Sequence, residues 1–314
     1  MTTLKHLLAA TDLSGPARHV VDRGFLLAKE SGAQYTVMHA LALDTLEELR
    51  QLLGDKLSVV MQRIEAEARD ALTQAVADPT RNLGVSAAIL IERGLALSAV
   101  PARAQSVATD LILIGAHGQD FLQDVLLGST TSRLLRKSRC PVLIVKQPAH
   151  APYKRVLIPV DFSPASEIAV RTARLVAPAA HIDLLHVFDV PFEGKMHFAG
   201  VSEYIMYQYR NEARLRAFNR LEAMATAAGL QAANHTSLVL HGAPALQILA
   251  EEEKDTYNLI AMGKHGTHVT EELLLGSVTK RVLALAQCDV LVVVDEGPAI
   301  DPLVLARPLC EEQR

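Results

Sequence analysis

Short runs of continuous apolar residues alternate along the chain with longer stretches whose apolar positions recur every three or four residues. Continuous runs of this length read as strands buried on both faces, and the 3.6-residue period reads as amphipathic helix. Strands are expected over 5–12, 34–39, 85–91, 111–114 and 141–146. Between them the pattern predicts a helix to about residue 30, with Ser14 as its cap and Pro16 in its first turn. Further helices are predicted over about 55–77, closed by Asp78-Pro79, over 95–107, and from Ser129 to about residue 137. After the proline-rich stretch 147–152 the pattern restarts: strands over 155–161, 181–187, 236–240, 259–262 and 290–294. Helices follow over about 201–228, after Gly242-Ala243-Pro244, and after Gly276-Ser277.

The second half repeats the first at a fixed offset. Gly115, Gly118 and Gly128 return as Gly263, Gly266 and Gly276 (263 − 115 = 148), and Gly94 returns as Gly242 (242 − 94 = 148). Asp12 returns as Asp161, one residue further on. Alternating strands and helices with right-handed crossovers give a doubly wound parallel α/β domain, here two in tandem. Domains are placed at 1–148 and 152–296, with 297–314 a tail that has no counterpart in the repeat. In each half the first glycine ends an apolar strand and the Gly-Ser pair opens a helix. Glycines there allow positive φ and close backbone approach to a ligand, and the free N–H groups of a helix start attract an anion. Two copies of that cradle at one spacing are the strongest chemical signal in the chain.

Composition narrows the classes. Half of the 314 residues are hydrophobic and 21% are charged, so each half can bury a core. The formal net charge of −4 gives no basic footprint, which argues against nucleic acid as the primary partner. The three cysteines Cys140, Cys288 and Cys310 are too few and too far apart for a disulfide framework or a zinc cluster, which fits a reducing cytoplasm. No apolar run reaches the ~18 residues of a membrane span. The Gly-x4-Gly-Lys-(Ser/Thr) phosphate loop and a paired-acid magnesium motif are missing, so efficient phosphoryl transfer lacks its usual parts.

With the motif Gly-x2-Gly-x9-Gly-Ser in both halves, an aspartate after each first strand and a Cys-Pro-Val-Leu-Ile-Val final strand, the chain resembles the universal stress proteins. The resemblance covers about 290 residues and is sharpest in Ile158-Pro159-Val160-Asp161-Phe162-Ser163 and Leu185-His186-Val187. Asp289, where the pattern has proline, and Ala10, opposite Pro159, depart from it. It implies two five-stranded Rossmann-like, adenine nucleotide α-hydrolase-like sheets of order 3-2-1-4-5, with a ligand crevice between strands one and four. It further implies an adenine nucleotide ligand (ATP, ADP or AMP), with Mg²⁺ as a companion, and a role in stress sensing or regulation. The aspartates Asp12 and Asp161 would meet the adenosine part and Ala40 and Val187 the base, with Pro159 beside them. Gly115, Gly118, Gly128, Ser129 and Thr130, with Gly263, Gly266, Gly276, Ser277 and Val278, would hold the phosphates. No catalytic or metal-ligating residue is assigned, and turnover would be at most slow hydrolysis or self-phosphorylation. The rival readings are a nucleotide-free interaction module and an enzyme of the wider α-hydrolase group, whose Ser-Gly-Gly-x-Asp-Ser loop Ser14-Gly15-Pro16 does not supply.

Several residues keep two readings. Asp12 and Asp161 are binders or caps of the following turn, and Ser129 and Ser277 are binders or helix caps. Arg133 and Arg281 are phosphate contacts or solvated arginines. His39, His117, His186 and His265 lie near the two crevices without the convergence a metal needs. Tyr204, Tyr207 and Tyr209 read as a lid or, preferably, as core packing. The apolar last strands would be exposed sheet edges, so they are expected to pair with each other, Ile144 near Val292, making the repeats an intramolecular pseudo-dimer; a further homodimer is open. The linker 147–154 spans roughly 26 Å at about 3.3 Å per residue, enough for the return.

Overall fold

Each half of the chain winds through five strands and the helices that cross between them. The first comprises β1 (His6–Ala10), α1 (Arg18–Ser31), β2 (Gln34–Leu41), α2 (Lys56–Ala77), a short α3 (Pro79–Asn82), β3 (Ala87–Arg93), α4 (Ala96–Ser106), β4 (Leu111–Gly115), α5 (Ser129–Lys137) and β5 (Val142–Val145). The second comprises β6 (Arg155–Pro159), α6 (Pro164–Val176), β7 (His181–Phe188), α7 (Glu203–Ala227), β8 (His235–His241), α8 (Pro244–Lys254), β9 (Leu259–Gly263), α9 (Ser277–Leu285) and β10 (Asp289–Val293). This computed structural model describes residues 3–42, 56–116, 128–190, 196, 198–254, 257–266 and 275–294. His117, Gly118 and the tail 297–314 lie outside the described residues.

The strands form one sheet in the order β3-β2-β1-β4-β5-β10-β9-β6-β7-β8. Each half therefore has the 3-2-1-4-5 order, parallel throughout. The continuous apolar strands are buried because helices cover both faces of the sheet. In β4, Leu111 and Leu113 enter one core while Ile112 and Ile114 enter the other. Both cores run across the middle of the molecule: Leu143 and Val145 share one with Leu291 and Val293, and Val142 and Ile144 share the other with Val290 and Val292.

β5 and β10 pair antiparallel, with Val290 opposite Ile144, Leu291 opposite Leu143 and Val292 opposite Val142. The expected edge-to-edge contact is thus present two residues out of the expected register, since Ile144 faces Val290. Asp289 accounts for the way the seam closes. It is fully buried at the start of β10; its Oδ1 accepts the N–H groups of Lys146 (2.8 Å) and Gln147 (3.1 Å), and its Oδ2 accepts the hydroxyl of Tyr153 (2.6 Å). Arg23 of α1 approaches Oδ2 at 3.3 Å, lies 4.1 Å over the Tyr153 ring and donates to the carbonyl of Ala151. Burial and the neighbouring carboxylate push the Tyr153 hydroxyl well above its usual range, so it stays a donor. A departure from the proline pattern has become the clasp that fixes the linker to both halves.

Local chemistry moved some boundaries. Ser163 caps α6 by accepting the Ser166 N–H, with Pro164 at the first helical position. In the first half Ser14 accepts the Ala17 N–H, but 15–17 form a separate turn and α1 begins only at Arg18. Ser129 and Ser277 are the first helical residues; the cap positions belong to Gly128 and Gly276, without a side-chain bond. Core packing is wrong for the tyrosines of α7: Tyr204, Tyr207 and Tyr209 are 68%, 61% and 42% exposed, because that helix buries Met206, Ala217, Leu221 and Ala225 instead.

Replacing Asp289 by alanine takes the shared acceptor from Arg23, the Tyr153 hydroxyl and the amides of Lys146 and Gln147. Urea unfolding of Asp289→Ala should show a loss of about 3–5 kcal/mol, the usual cost of breaking a buried pair from one side. A loss under about 1 kcal/mol would mean the seam stands on its apolar strands alone.

Candidate functional site

The crevice of the second half arises because β6 and β9 separate. Their pairing covers only Val156–Leu259 and Leu157–Ile260, while β9 stays paired with β10 to its end at Gly263. The strand order reverses between these two neighbours, so the chain leaves β6 and β9 toward opposite faces and the ends splay. A cavity of about 290 Å³ opens there, at the lower end of the roughly 300–1,000 Å³ of small-molecule pockets. Pro159, Asp161, Val187, Gly263, Gly266, Gly276, Ser277 and Val278, the residues of this half that the resemblance assigned to the ligand, line it. They come from three strand ends and one helix start.

Of the two readings the sequence left open, the structure shows Asp161 as the cap of the following turn. Its Oδ1 accepts from the N–H (3.0 Å) and Oγ (2.5 Å) of Ser163 and from Oγ of Ser166 (2.6 Å), which makes it the organiser of the turn into α6. Its Oδ2 lies toward the glycine loop, where a methyl group at Gly266 would stand 2.7 Å from it. Phe162 adopts φ 62° beside it, and Leu13 adopts φ 66° beside Asp12. Side chains other than glycine rarely take that conformation, at a cost on the order of 1–3 kcal/mol, and both halves retain it next to the carboxylate.

The glycines serve close approach and not positive φ, which none of Gly263, Gly266 and Gly276 adopts. At Gly263 an added methyl would meet Cβ of Ala165 at 2.7 Å, so the protein's own packing requires glycine. At Gly276 the nearest atom would be 3.6 Å away, ordinary contact. Packing would accept a methyl group at Gly276, a residue that lines the cavity. The first intrahelical bond of α9 runs from the Lys280 N–H to the Gly276 carbonyl, so the amides of Ser277, Val278 and Thr279 precede it at the positive end of the helix. A donor array of this kind, with a carboxylate across the cavity, fits a ligand that carries an anionic group and a hydroxylated part.

Thr279 was missed in the sequence. Its Oγ1 donates to the Gly263 carbonyl at 2.9 Å, and Thr131 makes the same 2.9 Å bond to Gly115, tying each cradle's strand end to its helix. The shared offset of 148 was the available signal. Met262 and Ile248, which form the apolar wall with Leu185 and Pro244, carried no motif. His265 lines the cavity, whereas His186 is a bracket: its Nδ1 lies 2.7 Å from the Val160 carbonyl, as His39 Nδ1 lies 2.8 Å from that of Thr11. Phe162 packs 4.5 Å from the His186 ring and Arg220 lies 3.9 Å above Phe162. Among the described residues no group of three His, Cys, Asp or Glu side chains is arranged to hold a metal. Arg133 and Arg281 are exposed, and Arg281 is not part of the cavity wall.

In the first half Asp12, Ala40, Gly115, Gly128, Ser129 and Thr130 occupy the equivalent strand ends and helix start. The Asp12 Oδ1 accepts the Ser14 N–H at 3.0 Å, and Ala17 stands where Ser166 supports Asp161. Gly118 lies outside the described residues.

The sequence profile of the universal stress protein family matches residues 3–146 and again 152–294. A universal stress protein of Mycolicibacterium smegmatis is 30% identical over 307 residues, covering 91% of this chain and 96% of that one. Another, of Mycobacterium tuberculosis, is 28% identical over 241 residues, 73% and 77% of the two chains. The crystal structure of a universal stress protein from Archaeoglobus fulgidus superimposes with a TM-score of 0.61 at 21% identity, covering 92% of this chain and 98% of that one, and has the same fold.

Burial lowers the pKa of His186 below its usual value, the backbone bond to Val160 only partly offsetting it. The folded protein thus binds this proton less readily than the unfolded chain, so stability falls as pH drops below about 6.5, the unfolded value. NMR titration of the His186 ring should give a midpoint below 6.5; one at or above it would show the bracket to be solvated.

Proposed function

The chain belongs to the universal stress protein family, and on that premise we propose that it binds adenine nucleotide (ATP, ADP or AMP) as a stress-response sensor or regulator, not as a turnover enzyme. The observation that carries the reading is Gly276: the protein's own packing does not need glycine there, while a ligand phosphate approaching the first amides of α9 would. Asp161 would receive ribose hydroxyls, and the apolar wall with Val187 and Pro159 would flank the base. Gly263, Gly266, Gly276, Ser277 and Val278 would surround the phosphates. The first half would bind in the same manner through Asp12, Ala40, Gly115, Gly118, Gly128, Ser129 and Thr130. Mg²⁺, when bound, would supply charge neutralisation on the phosphates.

The same reading divides the chain into domains 1–148 and 152–296 with a tail 297–314, and takes the two repeats as an intramolecular pseudo-dimer. It is supported by the antiparallel β5–β10 ladder. A homodimer of whole chains would find exposed apolar surface on α7, at Tyr204, Tyr207 and Leu215. Work in the cytoplasm suits Cys140 and Cys288 as thiols, and among the described residues no helix is long and apolar enough to cross a membrane. Nucleic acid and membrane are not among the partners assigned.

Calorimetry with ATP, ADP and AMP should detect micromolar binding, and mass spectrometry of gently denatured protein should find nucleotide carried through purification. Gly276→Val should remove binding at the second crevice by more than tenfold while changing stability by no more than about 1 kcal/mol, the scale of an N-cap change. No heat and no thermal shift at millimolar nucleotide would favour the nucleotide-free interaction module instead.

A further inference from the structure

Each helix that opens at a cradle ends against the opposite half. α5 begins at Ser129, and near its other end the Arg136 carbonyl accepts the ammonium of Lys264 at 2.8 Å. α9 begins at Ser277, and the carbonyls of Leu283 and Ala286 at its far end accept the ammonium of Lys146 at 2.8 and 2.5 Å. The repeat does not supply these lysines: Ala116 stands 148 residues before Lys264, and Val294 stands 148 after Lys146. Two unrelated positions have been recruited to join the halves in the same manner.

Lys264 belongs to a cradle as well. It lies between Gly263 and His265, both in the cavity wall; its N–H donates to the Val293 carbonyl (2.7 Å) and its carbonyl accepts the Gly276 N–H (3.0 Å). Its side chain is not available to a ligand, being 3% exposed and directed across the seam. We propose that Lys264 is a positioning residue that couples the two crevices. It locks the loop of the second cradle to the far end of the helix whose first turn forms the first. The coupling rests on the nucleotide reading above.

The physical argument has three steps. The ammonium of Lys264 is buried, so displacing the second loop from the end of α5 stretches a charge-assisted bond that bulk water does not reach. α5 has nine residues, about 14 Å of helix, short enough to act as a rigid strut between its ends. An anion at the N-terminus of α5 and a cation at its C-terminus both favour the aligned macrodipole, and ordering one end orders the carbonyl that holds Lys264 at the other. The sign follows: occupancy of the first crevice strengthens binding in the second.

The test is a mutant cycle read by ATP calorimetry on the full chain, with Gly128→Val closing the first crevice and Lys264→Ala cutting the link. Alanine is what the first half carries at this position, and Ala116 makes the same backbone bonds, to Val145 and Gly128. Lys264→Met, which keeps the stem and removes the charge, serves if the alanine variant folds poorly. Gly128→Val should weaken the second crevice about fivefold or more when Lys264 is present and leave it unchanged when Lys264 is replaced. An equal effect with and without Lys264, or none in either, overturns the proposal. Hydrogen exchange of the ligand-free protein gives a readout that needs no nucleotide: loss of Lys264 should speed exchange of the Ser138 amide, which closes the last turn of α5, by about tenfold. Should no variant bind ATP, the nucleotide reading falls. The exchange result then decides the link, with unchanged protection overturning it.

Discussion

The antiparallel ladder between β5 and β10 places the other parts of the molecule, because without it two five-stranded sheets would each present an apolar edge to water. Val142, Leu143, Ile144 and Val145, with Val290, Leu291, Val292 and Val293, are all at most 3% exposed. Burying such side chains contributes about 1.5–3 kcal/mol each, set against the ordering of the chain. An apolar ladder is permissive about register, however, and the specific contacts come from Asp289. Its two oxygens gather the amides of Lys146 and Gln147, a tyrosine hydroxyl and an arginine, so a slip by one residue would leave several buried polar groups unmatched. Apolar burial gives the seam its strength, and the carboxylate fixes its alignment.

From that seam the crevices follow. The cavity of the second half lies at its switch point, and both helices that lead from a glycine cradle run back to the seam, where a lysine from the opposite half meets carbonyls at their far ends. The cradles are therefore not independent surface features of two linked domains. Their far ends are held by the same interface that closes the sheet. Leu13 and Phe162, both at positive φ, directly follow the two aspartates, and His39 and His186 meet the carbonyls of Thr11 and Val160 two residues before them.

Most of the architecture was legible because it depends on local pattern. The strands are continuous apolar runs, the helices have periodic faces, and the repeat at 148 fixed which segments correspond. Boundaries slipped where a competing local bond intervened. Gly15 in place of Pro164 lets a separate turn form, so α1 starts late. At β3 the turn through Leu83 and Gly84, both at positive φ, delays the strand to Ala87. The tyrosines of α7 were misread because an aromatic cluster suggests burial, while Met206, Ala217, Leu221 and Ala225 already fill the contact with the sheet.

The sequence by itself determined the two-fold repeat, the doubly wound class, the family and the set of second-half residues that meet in one cavity, since each is written in periodicity or in a motif of fixed spacing. Only the tertiary structure decided which partner each polar side chain takes. Asp161 turns one oxygen to the serines of its own turn while the other lies beside the glycine loop, Asp289 replaces a proline by a buried clasp, and Lys264, which sits in a glycine motif, turns away from the cavity to the other half. Such choices depend on groups more than a hundred residues apart in the chain and on what remains to satisfy a charge once water is excluded. No local pattern encodes that distance.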